Sequence, residues 1–268
     1  MIPIRPSEVT DWLRCPQLWQ YKHVEGWQPP AVSWTPERLI GTAVHAGLAA
    51  HWQQVHAKDA LAETLTDGWP NHAPTEYDLD VYLALGYQVL EKTLTWIRQE
   101  MADAKPLMIE QSLGEDGHTT PDLVTRESAG LVVTDWKYHH HVPADRLHYR
   151  LEGIDRVHQF WHYIWAVGEY LHEPVKVFRK VAIIGSPKIL VRKAEFSPTS
   201  EGLAQWVYGA EVIWNEMKGM REYPEFMYQR VDGCFPFGEK WPCPMFEACW
   251  TCYGDREKMR QFYTKETQ

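Results

Sequence analysis

Residues 121–137 read PDLVTRESAGLVVTDWK. Two short strands joined by a turn fit this pattern, with Pro121-Asp122 opening the first and Asp135-Trp136-Lys137 closing the second. Successive side chains of a strand point to opposite faces, so Asp135 and Lys137 share one face and Trp136 takes the other. Two carboxylates and an ammonium then converge. A hard divalent cation beside a polarised water needs that set: oxygen ligands for the ion, and a cation to orient the nucleophile or offset phosphate charge.

Outward from this hairpin, the 268 residues suffice for one large domain or two modest ones. A hydrophobic content of 44% with 14 tryptophans marks a folded chain. The formal charge of −9 argues against coating nucleic acid by bulk electrostatics. The charge is uneven, however. From Lys137 to Lys193 ten cations (Lys137, Arg146, Arg150, Arg156, Lys176, Arg179, Lys180, Lys188, Arg192, Lys193) meet five anions (Asp145, Glu152, Asp155, Glu169, Glu173), so that segment is +5 and the remainder −14. MIPIRPSEV lacks the pattern of a secretory leader, and no apolar run is long enough to span a bilayer. In a soluble intracellular chain, five cysteines with four between residues 234 and 252 read as metal ligands.

The N-terminal third reads as helical. Ser7 is an N-cap candidate for a helix through about Lys22, kinked at Cys15-Pro16. Thr35-Pro36 starts a helix that carries RLIGTAVHAGLAAHWQQVH and puts Gly41 and His45 one turn apart. After a break at 68–74, Thr75 starts a long amphipathic helix ending near Pro106. The period then changes to that of strands: Leu107–Leu113, Asp122–Arg126 and Leu131–Trp136. A loop with His139, His140 and His141 leads to a helix from about Tyr149 to Leu171. Strands near Val175–Ile184 and Ile189–Phe196 follow, with Gly185-Ser186-Pro187 as their turn. Pro198-Thr199-Ser200 starts a helix through about Met220, and the tail is irregular. There is no internal repeat and no GxxxxGK[ST] motif, so an ATP-driven motor would be another chain.

A PD dipeptide and a DxK thirteen residues apart, across a hairpin after a helical third, resemble the PD-(D/E)XK nuclease superfamily. Gly41-Thr42-Ala43-Val44-His45 is similar to the GxxxH motif of its RecB-like exonuclease branch. Gln159-Phe160-Trp161-His162-Tyr163 is similar to that branch's QxxxY motif, and SEVTDWLRCPQLWQY resembles its usual opening. The resemblance implies an α/β, restriction-endonuclease-like core: a mixed central sheet flanked by helices, with a helical N-terminal part (7–104), a catalytic core (105–220) and a cysteine-rich tail (221–268) in one domain. It implies that Asp122, Asp135 and the Trp136 backbone carbonyl bind Mg²⁺ or Mn²⁺, with His45 as a ligand from the helix side. Lys137 would orient or activate the attacking water. Gln159 and Tyr163 would position the DNA backbone or the lysine, and Glu110 on the preceding strand would be a supporting or second-metal carboxylate.

The branch includes the CRISPR adaptation nucleases and the AddB nuclease domain, which hold a 4Fe-4S cluster on one N-terminal cysteine and three C-terminal ones. Here Cys15-Pro16 and the pair Cys243 and Cys249 match that pattern, while Lys240 stands where the remaining thiolate is usual. The resemblance therefore implies a cluster on Cys15, Cys234, Cys243 and Cys249, with Cys252 as the alternative ligand; a structural Zn²⁺ on Cys234, Cys243, Cys249 and Cys252 is the competing reading. The implied activity is metal-dependent DNA exonucleolysis, similar to that of phage recombination exonucleases. End trimming of the CRISPR-adaptation kind, or non-catalytic binding of DNA ends, are the alternatives. Implied partners are DNA, single-stranded or with free ends, and a single-strand annealing protein, helicase or CRISPR integrase, with no membrane. The implied location is the cytoplasm of a bacterium or of a phage's host. Some tryptophans would stack on single-stranded bases.

Overall fold

β-Branched and aromatic residues crowd 105–141 and 175–196, and both stretches enter one sheet. The computed structural model describes residues 5–28, 36–72, 78–114, 119–143, 157–186, 188–223 and 254–265, together with 146, 148, 151–154, 243–245, 248, 249 and 252. Its helices are α1 (Pro6–Arg14), α2 (Pro16–Trp19), α3 (Pro36–Trp52), α4 (Ala57–His72), α5 (Leu79–Glu100), α6 (His158–Leu171), α7 (Ser200–Glu222) and α8 (Arg256–Met259). Its strands are β1 (Trp27–Gln28), β2 (Lys105–Ile109), β3 (Leu123–Glu127), β4 (Gly130–His141), β5 (Val175–Ser186), β6 (Leu190–Phe196) and β7 (Thr264–Lys265). Contacts divide the chain into two units, Ser33–Leu203 and Met1–Val32 with Ala204–Gln268.

In the first unit five strands lie in the order β2-β3-β4-β5-β6. All neighbours are antiparallel except β4 and β5, which run parallel. A parallel step needs a crossover, and α6 lies within it. Helices cover both faces. On one, α3, α4 and α5 bury Ile40, Val44, Leu61, Leu90 and Ile97 against Leu123, Trp136, Val181 and Ile183. On the other, α6 buries Phe160, Ile164 and Val167 against Val124, Leu131, Val133 and Phe178. Strands buried on both faces read as near-continuous apolar runs, which is the pattern of LVV in β4 and VAII in β5. This is the mixed α/β sheet flanked by helices that the sequence predicts.

In the second unit Pro16 lacks an N–H and restricts the residue before it, so Cys15 is extended at φ −165, ψ 116. The expected kinked helix is therefore two helices, continued by a π-helical turn at Gln20–Val24. Trp12 and Trp19 meet edge to face at 5.1 Å, and both share a core with Val9 and Met217. A second core gathers Cys15, Leu18, Tyr21 and Trp27 with Cys243, Met245, Cys252, Met259 and Tyr263. β1 pairs with β7 antiparallel, and Arg256 forms an ion pair with Glu25.

Other boundaries differ for local reasons. Ser7 is not the cap: Pro6 takes the first helical position and Arg5 precedes it without a side-chain cap. The helix carrying His45 ends at Trp52, where Gln54 turns at φ 61, and α4 then occupies 57–72, across the expected break. Gly68 in α4 is a packing residue, seated against Leu39, rather than a breaker. Thr75 lies outside the described residues; α5 is capped by Asp78, which accepts from Asp80 N–H at 2.9 Å. β4 continues to His141, so His139–His141 extend a strand paired to β5 and do not form a loop. β2 ends at Ile109, which leaves Glu110 just beyond it. The helical run of α6 begins at His158, and Tyr149 lies outside the described residues. Gly185 and Ser186 belong to β5, and Pro187 lies outside the described residues.

Candidate active site

The β3/β4 register runs Val124↔Val133 and Leu123↔Thr134, and one further step sets Asp122 beside Asp135. Two carboxylates directly opposite each other repel, so something must hold them there. The Trp136 N–H donates to Asp122 Oδ2 at 2.6 Å, and Lys137 Nζ donates to Asp135 Oδ1 at 2.8 Å. Asp135 is fully buried, and its Oδ2 has no hydrogen-bond partner among the described residues. Such an orphan oxygen is costly in a folded protein unless a ligand completes it.

His45 comes from α3. Gly41, one turn earlier, lets that helix approach β4, since a Cβ there would stand 3.3 Å from Tyr138 Cδ1. His45 Nδ1 is then 3.8 Å from Asp122 Oδ2. From α6, on the sheet face that Asp135 and Lys137 share, Gln159 Nε2 donates to Tyr163 OH at 2.6 Å. Glu110 donates its N–H to the Asp122 carbonyl at 3.1 Å and holds φ at 44. A left-handed backbone at a non-glycine residue stores strain of about 1–3 kcal/mol and concentrates at functional sites.

The sequence pattern of the PD-(D/E)XK nuclease superfamily matches residues 4–249. The chain belongs to the PD-(D/E)XK nuclease superfamily. A crystal structure of a candidate exonuclease from Eubacterium rectale is similar in fold, with a TM-score of 0.53 at 12% identity over 94% of this chain and 87% of that one. A second solved structure, SSO0001, aligns over 76% of this chain and 86% of its own at 9% identity, but its TM-score of 0.24 is too low for a shared fold to be inferred. A search of curated proteins found no match.

In this nuclease, burial pushes both Asp122 and Asp135 up to about 6, although Lys137 opposes the shift. Asp122 adds to the rise at Asp135, and Glu110 adds to that at Asp122. Burial works against the charge on Lys137, but Asp135 and Asp122 outweigh it and hold the ammonium above its usual value. His45 is shifted down by burial and then by Lys137, which leaves a neutral imidazole at neutral pH. Burial, with Asp135 and Asp122 adding, pushes the Tyr163 phenol up to about 12, so it keeps its proton. Because Gln159 donates to the phenol oxygen, the phenol hydrogen is left to donate elsewhere.

PD-(D/E)XK nucleases typically use Mg²⁺ or Mn²⁺, and this donor set suits a hard cation. It offers two carboxylates, one with an unpartnered oxygen, and a neutral imidazole 3.8 Å from the other. Among the described residues no group of three or more His, Cys, Asp or Glu side chains is placed to hold a metal ion together. Backbone carbonyls and water would supply the balance, as hard cations commonly require. Cys15, Cys243, Cys249 and Cys252 lie in or against one apolar core, and Cys234 lies outside the described residues.

One contact was not legible in the sequence. Thr119 Oγ1 and His162 Nε2 meet at 2.6 Å in a buried position, tying the segment before Asp122 to the helix of Gln159 and Tyr163. The partners are forty-three positions apart, and neither is one of the fixed positions of a motif.

Proposed function

We propose that this nuclease is a metal-dependent DNA exonuclease of the RecB-like branch, with Asp122, Asp135 and Lys137 as its cutting centre. The observation that carries the reading is the buried Asp135, with one oxygen on Lys137 and the other unpartnered among the described residues, beside an Asp122 fixed by the Trp136 N–H. Asp122, Asp135, the Trp136 carbonyl and His45 would hold Mg²⁺ or Mn²⁺, with Glu110 as a further carboxylate. Bound there, the ion supplies Lewis-acid polarisation of the phosphodiester and a water of lowered pKa. Lys137, kept charged by its two neighbours, orients the attacking water and offsets charge gathering on the phosphate. Tyr163, aligned by Gln159, donates to a non-bridging phosphate oxygen and fixes the strand. The substrate is DNA with a free end. Linear single strands labelled at the 5′ or the 3′ end, and circular ones labelled internally, test this: release of mononucleotides or short pieces from linear DNA alone supports an exonuclease, and cutting of circles overturns it.

The same proposal includes a 4Fe-4S cluster on Cys15, Cys243 and Cys249. Cys252, buried in the same core, or Cys234 supplies the fourth thiolate. What supports it is the gathering of buried Cys15 and Cys243 and half-buried Cys249 around Tyr21, whose phenol is pushed up to about 12 by burial and next by Cys249. Four zinc thiolates that include Cys234 are the rival. Stoichiometric iron and a brown chromophore in anaerobically purified protein support the cluster; colourless, zinc-bound protein overturns it.

A further inference from the structure

A cleft of about 800 Å³ opens beside the carboxylates, between the first turns of α3 and the distal half of β4. His45 and Lys137 belong to its wall, and Arg38, Thr42, Tyr138 and His140 continue that wall away from the cutting centre. Arg38 lies seven residues before His45 on α3, about 10 Å along the helix at 1.5 Å per residue. Glu37 is the single acid among the lining residues, against Arg38, Lys137 and the run His139–His141.

β4 outruns β3 along this cleft. β3 pairs with it only as far as Thr134, whereas β5 stays paired out to His141. Among the described residues, then, no strand pairs with that edge of β4 beyond Asp135. The Trp136 N–H leaves this edge to meet Asp122, and the two-residue period turns the N–H groups of Tyr138 and His140 the same way. Tyr138 is wedged between two glycines: its ring lies against Gly41, and a Cβ on Gly185 would collide with its hydroxyl. That hydroxyl lies 3.3 Å from His140 Nδ1.

We infer that the α3–β4 cleft is a single-strand DNA subsite, taking the nucleotide beside the scissile linkage with its phosphate on Arg38 and the strand-edge N–H groups of Tyr138 and His140. Imidazole rings along the wall offer stacking faces that accept any base. The volume falls in the range of sites that enclose a small ligand, roughly 300–1,000 Å³. It admits one or two nucleotides of one strand, so a duplex end must fray before it enters. The subsite rests on the DNA-cutting reading of the adjoining carboxylates, and binding measured without cleavage separates the two.

The test is fluorescence anisotropy with a labelled single-stranded oligonucleotide and a blunt hairpin duplex, with Ca²⁺ in place of Mg²⁺. Arg38 is exposed, and thermal melts of Arg38→Ala and Arg38→Lys check that both variants keep the fold. It is expected to weaken single-strand binding about fivefold or more and to reduce the salt slope by about 0.7, one phosphate contact on a single strand. Arg38→Lys is expected to keep most of the affinity. Wild type is expected to bind the blunt duplex more weakly and with no dependence on Arg38. Unchanged affinity and slope in Arg38→Ala, equal binding of the duplex, or no single-strand binding at all would overturn the subsite. If these binding differences hold while Mg²⁺ and Mn²⁺ support no cleavage, the subsite stands and the DNA-cutting reading falls.

Discussion

At Asp135 the fold accepts a conflict for which packing alone gives no reason. A fully buried carboxylate with one oxygen unpartnered among the described residues, set against a second carboxylate, disfavours the folded state unless a cation arrives. Asp135→Asn is therefore expected to melt no lower than wild type without metal, while cleavage falls by about a hundredfold or more. Coincident loss of stability and activity would instead mark Asp135 as structural. The pH dependence follows from the same pair. Both groups titrate near 3.8 when unfolded and are pushed up to about 6 when folded, so between those values the folded state binds more protons. Metal-free stability is thus fullest below about pH 4 with respect to these groups and declines as the pH rises through about 6. Divalent-ion affinity has the opposite sign: protons compete below about pH 6, so the Mn²⁺ concentration for half-maximal binding is expected to rise there. Thermal melts with and without Mn²⁺ across this window check both signs.

At the scale of elements, the site depends on how closely α3 and β4 approach. Gly41→Val forces a branched side chain onto the Tyr138 ring and carries His45 away from Asp122. A melting point lower by several degrees and a weaker response to Mn²⁺ are expected, with Gly41→Ala between it and wild type. Phe178, fully buried and stacked on Phe160 at 4.4 Å, fixes α6 to the sheet. Phe178→Ala is expected to cost about 3–5 kcal/mol in a denaturant titration. The hairpin itself was legible because alternation and turn chemistry act locally: PDLV and VVTDWK state their faces outright. Element boundaries were less legible. α4 was hidden because Gly68 and Pro70 signal a break in isolation, whereas Gly68 is seated against Leu39 by tertiary packing. The His139–His141 run reads as a loop until β5 pairs with it as far as Ser186, a contact between residues some forty-five apart.

Over the whole molecule, the order of motifs carried more than any one of them. Asp122, Asp135 and Lys137 come from one hairpin, His45 from a helix before it, and Gln159 and Tyr163 from a helix after it. The sequence gives their order, but only the parallel β4/β5 step shows why α6 returns to the same sheet face. The Thr119–His162 contact and the cleft between α3 and β4 had no local signature, because each exists only once distant segments meet. In the other unit, Cys15 ends α1 and joins the core of Cys243 and Cys252. On the proposed cluster, Cys15→Ser is expected to abolish any brown colour and to make the segment around Tyr21 and Trp27 sensitive to limited proteolysis, while colour retained from wild type to variant would exclude Cys15 as a ligand. DNA cutting by Asp122, Asp135 and Lys137 is the proposal on which the other roles depend. Its most direct test is degradation of end-labelled single-stranded DNA by wild type and Lys137→Ala in Mg²⁺ or Mn²⁺. Wild-type degradation abolished by chelator and reduced about a hundredfold or more by Lys137→Ala is the predicted result, and equal degradation by the two proteins would contradict it.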